Sequence, residues 1–168
     1  MTDRHPGGGG RAPLALDWQA AFDDIERRGR QRALEPNELE ELAVAAYLAG
    51  RDADSTDALV RAHTVALERG DTRMAARAAF WIAFAHVSAR EITRAAGWNA
   101  RARRLLDQYG RDCVECGYVL LPEALARIGA GDLDAGAAIF ADAERIGETF
   151  ADADLTSLAR QGRGRWPV

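Results

Sequence analysis

The sequence predicts an all-α fold of antiparallel helix pairs, and three observations carry that reading. Apolar residues recur at helical spacing along most of the chain, and no stretch alternates as a strand would. Helix-opening aspartates recur at a near-constant interval: Asp71 to Asp112 is 41 residues and Asp112 to Asp152 is 40, while Gly50 and Gly131 stand 81 apart. Alanine, the strongest helix former, occurs 35 times in 168 residues. A period between about 20 and 50 residues marks a helical solenoid, whose units bury their apolar faces only by stacking on neighbours.

The elements follow in order. Residues 1–13 hold Gly7 to Gly10, Pro6 and Pro13, can bury almost nothing, and are expected as a disordered tail. Asp17 reads as an N-cap, with Trp18, Ala21, Phe22 and Ile25 following at helical spacing and Gly29 near the end. Pro36 suits the first turn of a second helix, with Leu39, Leu42, Ala43, Ala46 and Tyr47 as its apolar stripe and Gly50 as its stop. A third helix runs from about Asp54 to Arg69, with Ala58, Leu59, Ala62, Val65 and Ala66 inward, and Gly70 ends it.

Asp71 caps the fourth helix, in which every residue from Ala78 to Ala85 is apolar. A helix apolar on all sides is buried on all sides, so this one is expected between its neighbours. Phe80, Trp81, Ile82 and Phe84 are expected mostly buried, near Trp98, Leu105 and Leu106. Truncating Trp81 or Trp98 to Ala is then expected to cost about 3 to 5 kcal/mol. The next helix spans about Ile92 to Tyr109, with Ile92, Ala95, Ala102, Leu105, Leu106 and Tyr109 on one face. Val114 to Ala130 and Asp134 to Glu148 form a further pair, turned at Gly131-Asp132 and kinked in the first member by Pro122. Asp152 caps a last helix reaching Arg165, and tight turns are expected at Gly50, Gly70, Gly110 and Gly131.

Composition narrows the function classes. Net charge is −4 and pI about 5.4, which weighs against a nucleic-acid surface. No stretch approaches 18 uncharged apolar residues, and the start lacks an apolar leader core, so a cytoplasmic chain with reduced thiols is expected. Cys113-Val-Glu-Cys116 is a CxxC, but no second such pair or HxxxH completes a zinc site, and no strand precedes it as in a redox fold. The two thiols are expected to be dispensable for folding. His63 and His86 stand without a nucleophile or orienting partner in sequence, and Gly7 to Gly10 lacks the ending of a phosphate loop. Arg94, Arg101, Arg103 and Arg104 read as a solvated face. No enzyme motif is present, so no catalytic residue, cofactor or metal is expected.

The central block Ala75-Ala-Arg-Ala-Ala-Phe-Trp-Ile-Ala83 is followed by Gly97-Trp-Asn-Ala-Arg-Ala-Arg-Arg-Leu-Leu106. The later block runs Gly117-Tyr-Val-Leu-Leu-Pro-Glu-Ala-Leu-Ala126, Gly131-Asp132, then Asp152-Ala-Asp-Leu-Thr-Ser-Leu-Ala-Arg160 with Gly162-Arg163-Gly164. Over about residues 17 to 165 the chain resembles the tetratricopeptide-like helical region upstream of the DNA-binding domain in bacterial LuxR-type transcriptional regulators. Similar regions also precede nucleotide-cyclase-type domains. The resemblance implies a short right-handed α-solenoid over 14–168, truncated in its last repeat and without the DNA-reading domain.

Two kinds of function follow as expectations. One is a non-catalytic module for protein–protein interaction, binding a peptide, another regulator or a second copy of itself, with no direct contact to nucleic acid or membrane. The other is an effector-sensing fragment with a small molecule among Trp81, Phe84, Trp98 and Tyr118. A CxxC redox or metal protein ranks third. The last helix carries Leu155, Leu158 and Trp166 without a following partner helix, so this face is expected either to fold back on the preceding pair or to stay exposed, and the three residues are expected at a contact that drives self-association or docks a partner.

Overall fold

The protein is seen as a computed structural model that describes residues 17–110 and 112–164. In chain order the helices are α1 (Trp18–Gln31), α2 (Pro36–Leu48), α3 (Asp52–Glu68), α4 (Thr72–Ser88), α5 (Ile92–Tyr109), α6 (Glu115–Tyr118), α7 (Leu120–Gly129), α8 (Leu133–Thr149) and α9 (Ala153–Gly164). Among the described residues there is no strand. Val119 joins α6 to α7 in helical conformation (φ −69°, ψ −12°), so the two make one broken helix and eight helices result among the described residues. Each packs on the next in sequence. The tail expected over residues 1–13 lies outside the described residues.

Five turns share one geometry. Gly50, Gly70, Arg90, Gly131 and Ala151 follow α2, α3, α4, α7 and α8 in left-handed conformation, with φ of 75°, 73°, 62°, 88° and 53°. In each turn the next N–H reaches five residues back: Arg51 to Ala46 at 2.8 Å, Asp71 to Ala66 at 2.9 Å, Glu91 to His86 at 2.8 Å, Asp132 to Arg127 at 3.0 Å and Asp152 to Gly147 at 2.8 Å. This Schellman arrangement satisfies the last carbonyls of the ending helix. The residue that donates is also the N-cap of the helix that follows. The carboxylates of Asp71, Asp132 and Asp152 accept from the N–H of Met74, Ala135 and Leu155 at 3.0, 3.2 and 2.8 Å. So short a reversal folds the two helices into an antiparallel hairpin.

The left-handed residues fall at 50, 70, 90, 131 and 151, which sets the helical unit at about 20 residues and the sequence period at two units. Arg90 and Ala151 were not foreseen as turn positions because neither is glycine.

The α5–α6 connection is different. Gly110 has φ 112° and ψ 151°, an extended mirror-image conformation, and the chain runs as a linker to Val114. Asp112 is therefore an exposed linker residue and not the cap that its spacing implied. Pro122 acts where the sequence placed it. It cannot donate to the carbonyl four residues back, which belongs to Tyr118, and α6 ends at Tyr118.

The core is arranged around α4. Ala78 and Ile82 join Phe22, Ile25, Leu34, Leu39, Leu42 and the inner residues of α3. Phe80 joins Tyr118, Leu121, Ala124, Phe140, Ala143, Leu155 and Ala159. Ala76 and Ala79 meet Ala102, Leu106, Cys113 and Val119. The helix thus serves three apolar clusters from three faces, as its unbroken apolar run requires.

Within that run burial is uneven. Phe80 and Ile82 are fully enclosed, while Trp81 and Phe84 are only half-buried, as is Trp98 on α5. On α2 the buried arc is centred on Leu42 and Ala46 and reaches Ala45, which leaves Tyr47 66% exposed at its edge. Ile92 and Tyr109, at the two ends of α5, are also exposed rather than inward.

Two measurements test this account. Phe80→Ala is expected to cost about 3 to 5 kcal/mol in urea unfolding, and Trp81→Ala clearly less, because part of the indole is already in water. Equal costs would contradict the burial pattern. At the turns, Gly131→Ala is expected to lower stability by about 1 kcal/mol and Ala151→Gly to leave it unchanged or raise it by up to about 1 kcal/mol, because a side chain in the left-handed region is strained.

Candidate functional site

Three-residue connections make α2 antiparallel to α3 and α3 antiparallel to α4, so α2 and α4 run in the same direction. An ion pair fixes their register: Arg77 Nε lies 3.1 Å from Glu40 Oε1. Burial raises the Glu40 carboxyl above its ordinary range, and the Arg77 guanidinium opposes that shift. One turn earlier on the same face of α4, Arg73 reaches the buried Glu115 of α6, Nε to Oε2 at 3.2 Å and Nη2 to Oε1 at 3.4 Å. The row continues to α9, where the Tyr118 hydroxyl donates to Asp152 Oδ1 at 2.9 Å. Burial, then the Asp152 carboxylate, push the Tyr118 hydroxyl upward, so it stays protonated and donating. Polar links therefore tie α2, α4, α6 and α9 together.

One turn beyond this row the same face becomes apolar. Val44 follows Glu40 by four residues, as Trp81 follows Arg77. Val44, Tyr47 and Leu48 are 49%, 66% and 48% exposed on α2, and Trp81 and Phe84 are half-buried on α4. Trp81 and Phe84 meet edge-on with centroids 5.9 Å apart, and Trp81 sits 5.9 Å from Tyr118. Phe80 lies beneath, 4.9 Å from Trp81 and 5.1 Å from Tyr118. The rings fill the space between them by packing on one another.

The residues expected to form a site are thus divided. Trp81, Phe84 and Tyr118 come together, but Tyr118 is 2% exposed and supports the others from below. Trp98 does not join them. It packs toward other clusters, edge-on to His63 at 5.3 Å and under the Arg101 guanidinium at 4.7 Å. Gly97, Trp98 and the arginines 94, 101 and 104 line a separate open depression of about 300 Å³.

Leu155 and Leu158 are corrected as surface residues. Leu155 is wholly enclosed and Leu158 half-buried, both packed in the cluster of α6 to α9. The absence of a Cβ at Gly117 and Gly147 lets the start of α9 approach: a Cβ there would stand 2.5 Å from Leu155 Cδ2 and 2.9 Å from the Thr156 backbone nitrogen. Trp166 lies outside the described residues. The sequence reading missed Val44, Tyr47 and Leu48 because it counted Tyr47 in the buried stripe. Their spacing of three and four opposite Leu42 and Ala46 was the available signal.

The remaining titratable groups are structural in their contacts. His63 Nδ1 donates to the Ala75 carbonyl at 2.8 Å, which fixes the tautomer and leaves Nε2 buried without a partner among the described residues. Cys113 is buried, Cys116 is partly exposed, and their sulfurs are 3.7 Å apart. Burial and the neighbouring Cys116 push the Cys113 thiol up to about 12. Among the described residues no group of three or more His, Cys, Asp or Glu is placed to hold a metal. No helix among them is long and apolar enough to cross a membrane.

No protein-family model matches the chain, and no curated protein matches it.

His63 gives a pH test. Burial, aided by Arg101 and opposed by the Ala75 carbonyl, lowers its pKa below 6.5. The unfolded chain then takes up this proton before the folded one does. The stability from neutral His63 is complete above about pH 6.5 and is lost as pH falls from there toward the folded value. Urea midpoints should drop between pH 7 and pH 5, and His63→Phe should flatten that slope.

Proposed function

We propose that this chain is a non-catalytic helical-repeat module whose face on α2 and α4 docks an apolar helical segment of a partner protein. The observation that carries the reading is the set Val44, Tyr47, Leu48, Trp81 and Phe84, apolar and water-exposed in whole or part, next to the Glu40–Arg77 pair. Large amphipathic rings on a rigid helix bind at low entropic cost, and clustered exposed apolar side chains mark contact surfaces. The fold is of the tetratricopeptide-like kind, a short right-handed solenoid in this reading. The recurring 20-residue turn supports it, as do ion pairs between alternate helices: Glu40–Arg77 and Arg73–Glu115. With this goes the likeness to the sensory or scaffolding region of LuxR-type regulators, and a cytoplasmic setting.

A displayed library of amphipathic helical peptides, selected against the parent chain, tests the proposal. Enriched peptides should be apolar on one face and should lose at least tenfold in affinity to Val44→Asp, a surface change expected to leave the melting temperature within a few degrees. No enrichment, or equal binding to Val44→Asp, would count against this face.

A further inference from the structure

We infer that Cys113 and Cys116 form a reversible redox site, closing to an intrachain disulfide at the joint between α5 and α6. The two thiols stand on one tight turn, in which the Cys116 N–H returns to the Cys113 carbonyl at 3.2 Å. Their sulfurs are 3.7 Å apart with no bond between them, and a disulfide needs about 2 Å. The approach requires side-chain rotation in a linker-to-helix turn that is outside the repeated hairpins. Cys113 presently also touches the Gly110 carbonyl, Sγ to O at 3.9 Å, the weakest class of contact and easily given up.

Access and burial divide the roles. Cys116 is partly exposed and meets the oxidant, whereas Cys113 is enclosed among Ala76, Ala79, Ala102 and Leu106 and meets only Cys116. The oxidant is a low-molecular-weight disulfide. The Cys116 thiolate attacks one of its sulfurs, and one small thiolate leaves. Cys113 then releases its proton to solvent and attacks Cys116 Sγ in the mixed disulfide, expelling the second small thiol. Two protein thiols are oxidised, and one external disulfide is reduced to two thiols. Burial keeps Cys113 protonated, so closure is the slower step.

The site has structural reach. Cys113 and Val119 belong to the cluster that joins α4 to α5, and Glu115, between the two cysteines, holds the Arg73 pair. Closing the turn bears on the contact between α4 and the helices from α6 onward.

The test equilibrates the full chain in buffers of reduced and oxidised glutathione of graded ratio, then quenches with maleimide and weighs the intact protein. The parent should pass from two maleimide adducts to none, with a loss of about two mass units before labelling. Cys116→Ser and Cys113→Ser should each show only a single adduct or a glutathione mixed disulfide. Melting temperature should differ between the oxidised and reduced parent and be insensitive to redox buffer in the double Ser variant. Two free thiols across the whole range, disulfides found only between chains, or a parent whose melting ignores oxidation would overturn the inference.

Discussion

The burial of α4 on three faces is the constraint on which the rest of the structure depends. A helix sandwiched in this way cannot choose its neighbours one at a time. Ala78 and Ile82 commit one face to α1–α3, Phe80 commits another to α6–α9, and Ala76 and Ala79 commit a third to α5 and the linker. The small residues stand where Ala102 of α5 approaches, and the large ring is turned to the aromatic side. A core packed at crystal-like density transmits a change on one such face to the others. The halves of the chain before and after α4 therefore share one core.

The repeated turn supplies the geometry that this core needs. A left-handed residue followed by an N-cap residue closes one helix and starts the next, answering the last carbonyls of the first and, where the cap is aspartate, an opening N–H of the second. The period of the chain is thus a property of the turn before it is a property of the helix faces. Where the turn changes, at Gly110, the packing changes as well, and the α5–α6 joint is the place where the helices after it are set against α4. Its links are polar: Arg73 to Glu115, and the buried Asn99 amide donating to the Val119 carbonyl at 3.2 Å. Glu115 is buried while Arg73 is nearly half exposed, so removing Arg73 would leave a buried carboxylate uncompensated, and the pair sets a defined register at the joint.

Much of this was legible in the sequence, and the reasons are specific. The bounds of α5, Ile92 to Tyr109, followed from Gly110 and from apolar spacing, and the glycine turns at 50, 70 and 131 followed from residue type. The sandwiching of α4 followed from composition alone, because eight consecutive apolar residues leave no solvent face. What the sequence hid was of two kinds. The turns at Arg90 and Ala151 were invisible because the hairpin geometry overrides residue preference there. The division of Trp81 from Trp98 was invisible because apolar character says a ring is packed but not against which neighbour. Trp98 and Leu155 are packing residues and Val44 and Leu48 lie on the surface, a division that apolar spacing alone did not make.

In the proposed docking, polar and apolar parts of the α2–α4 face divide the work of recognition. Glu40 and Arg77 are partly enclosed and stand within ion-pair distance of each other, so the pair serves to hold two helices in register. Trp81 and Phe84 are held from beneath by Phe80 and Tyr118, so their exposed edges are fixed before any partner arrives. Preorganised rings of this kind lose little side-chain freedom on binding, and affinity then depends on the apolar area a partner brings. Val44 and Leu48 extend that area along α2 on a helix whose buried arc faces away. A partner helix laid along the groove would cover the α2 aliphatics and the α4 rings together while leaving the ion pair at its edge. In the proposed docking, specificity on such a face would come from the direction and register of the covering segment.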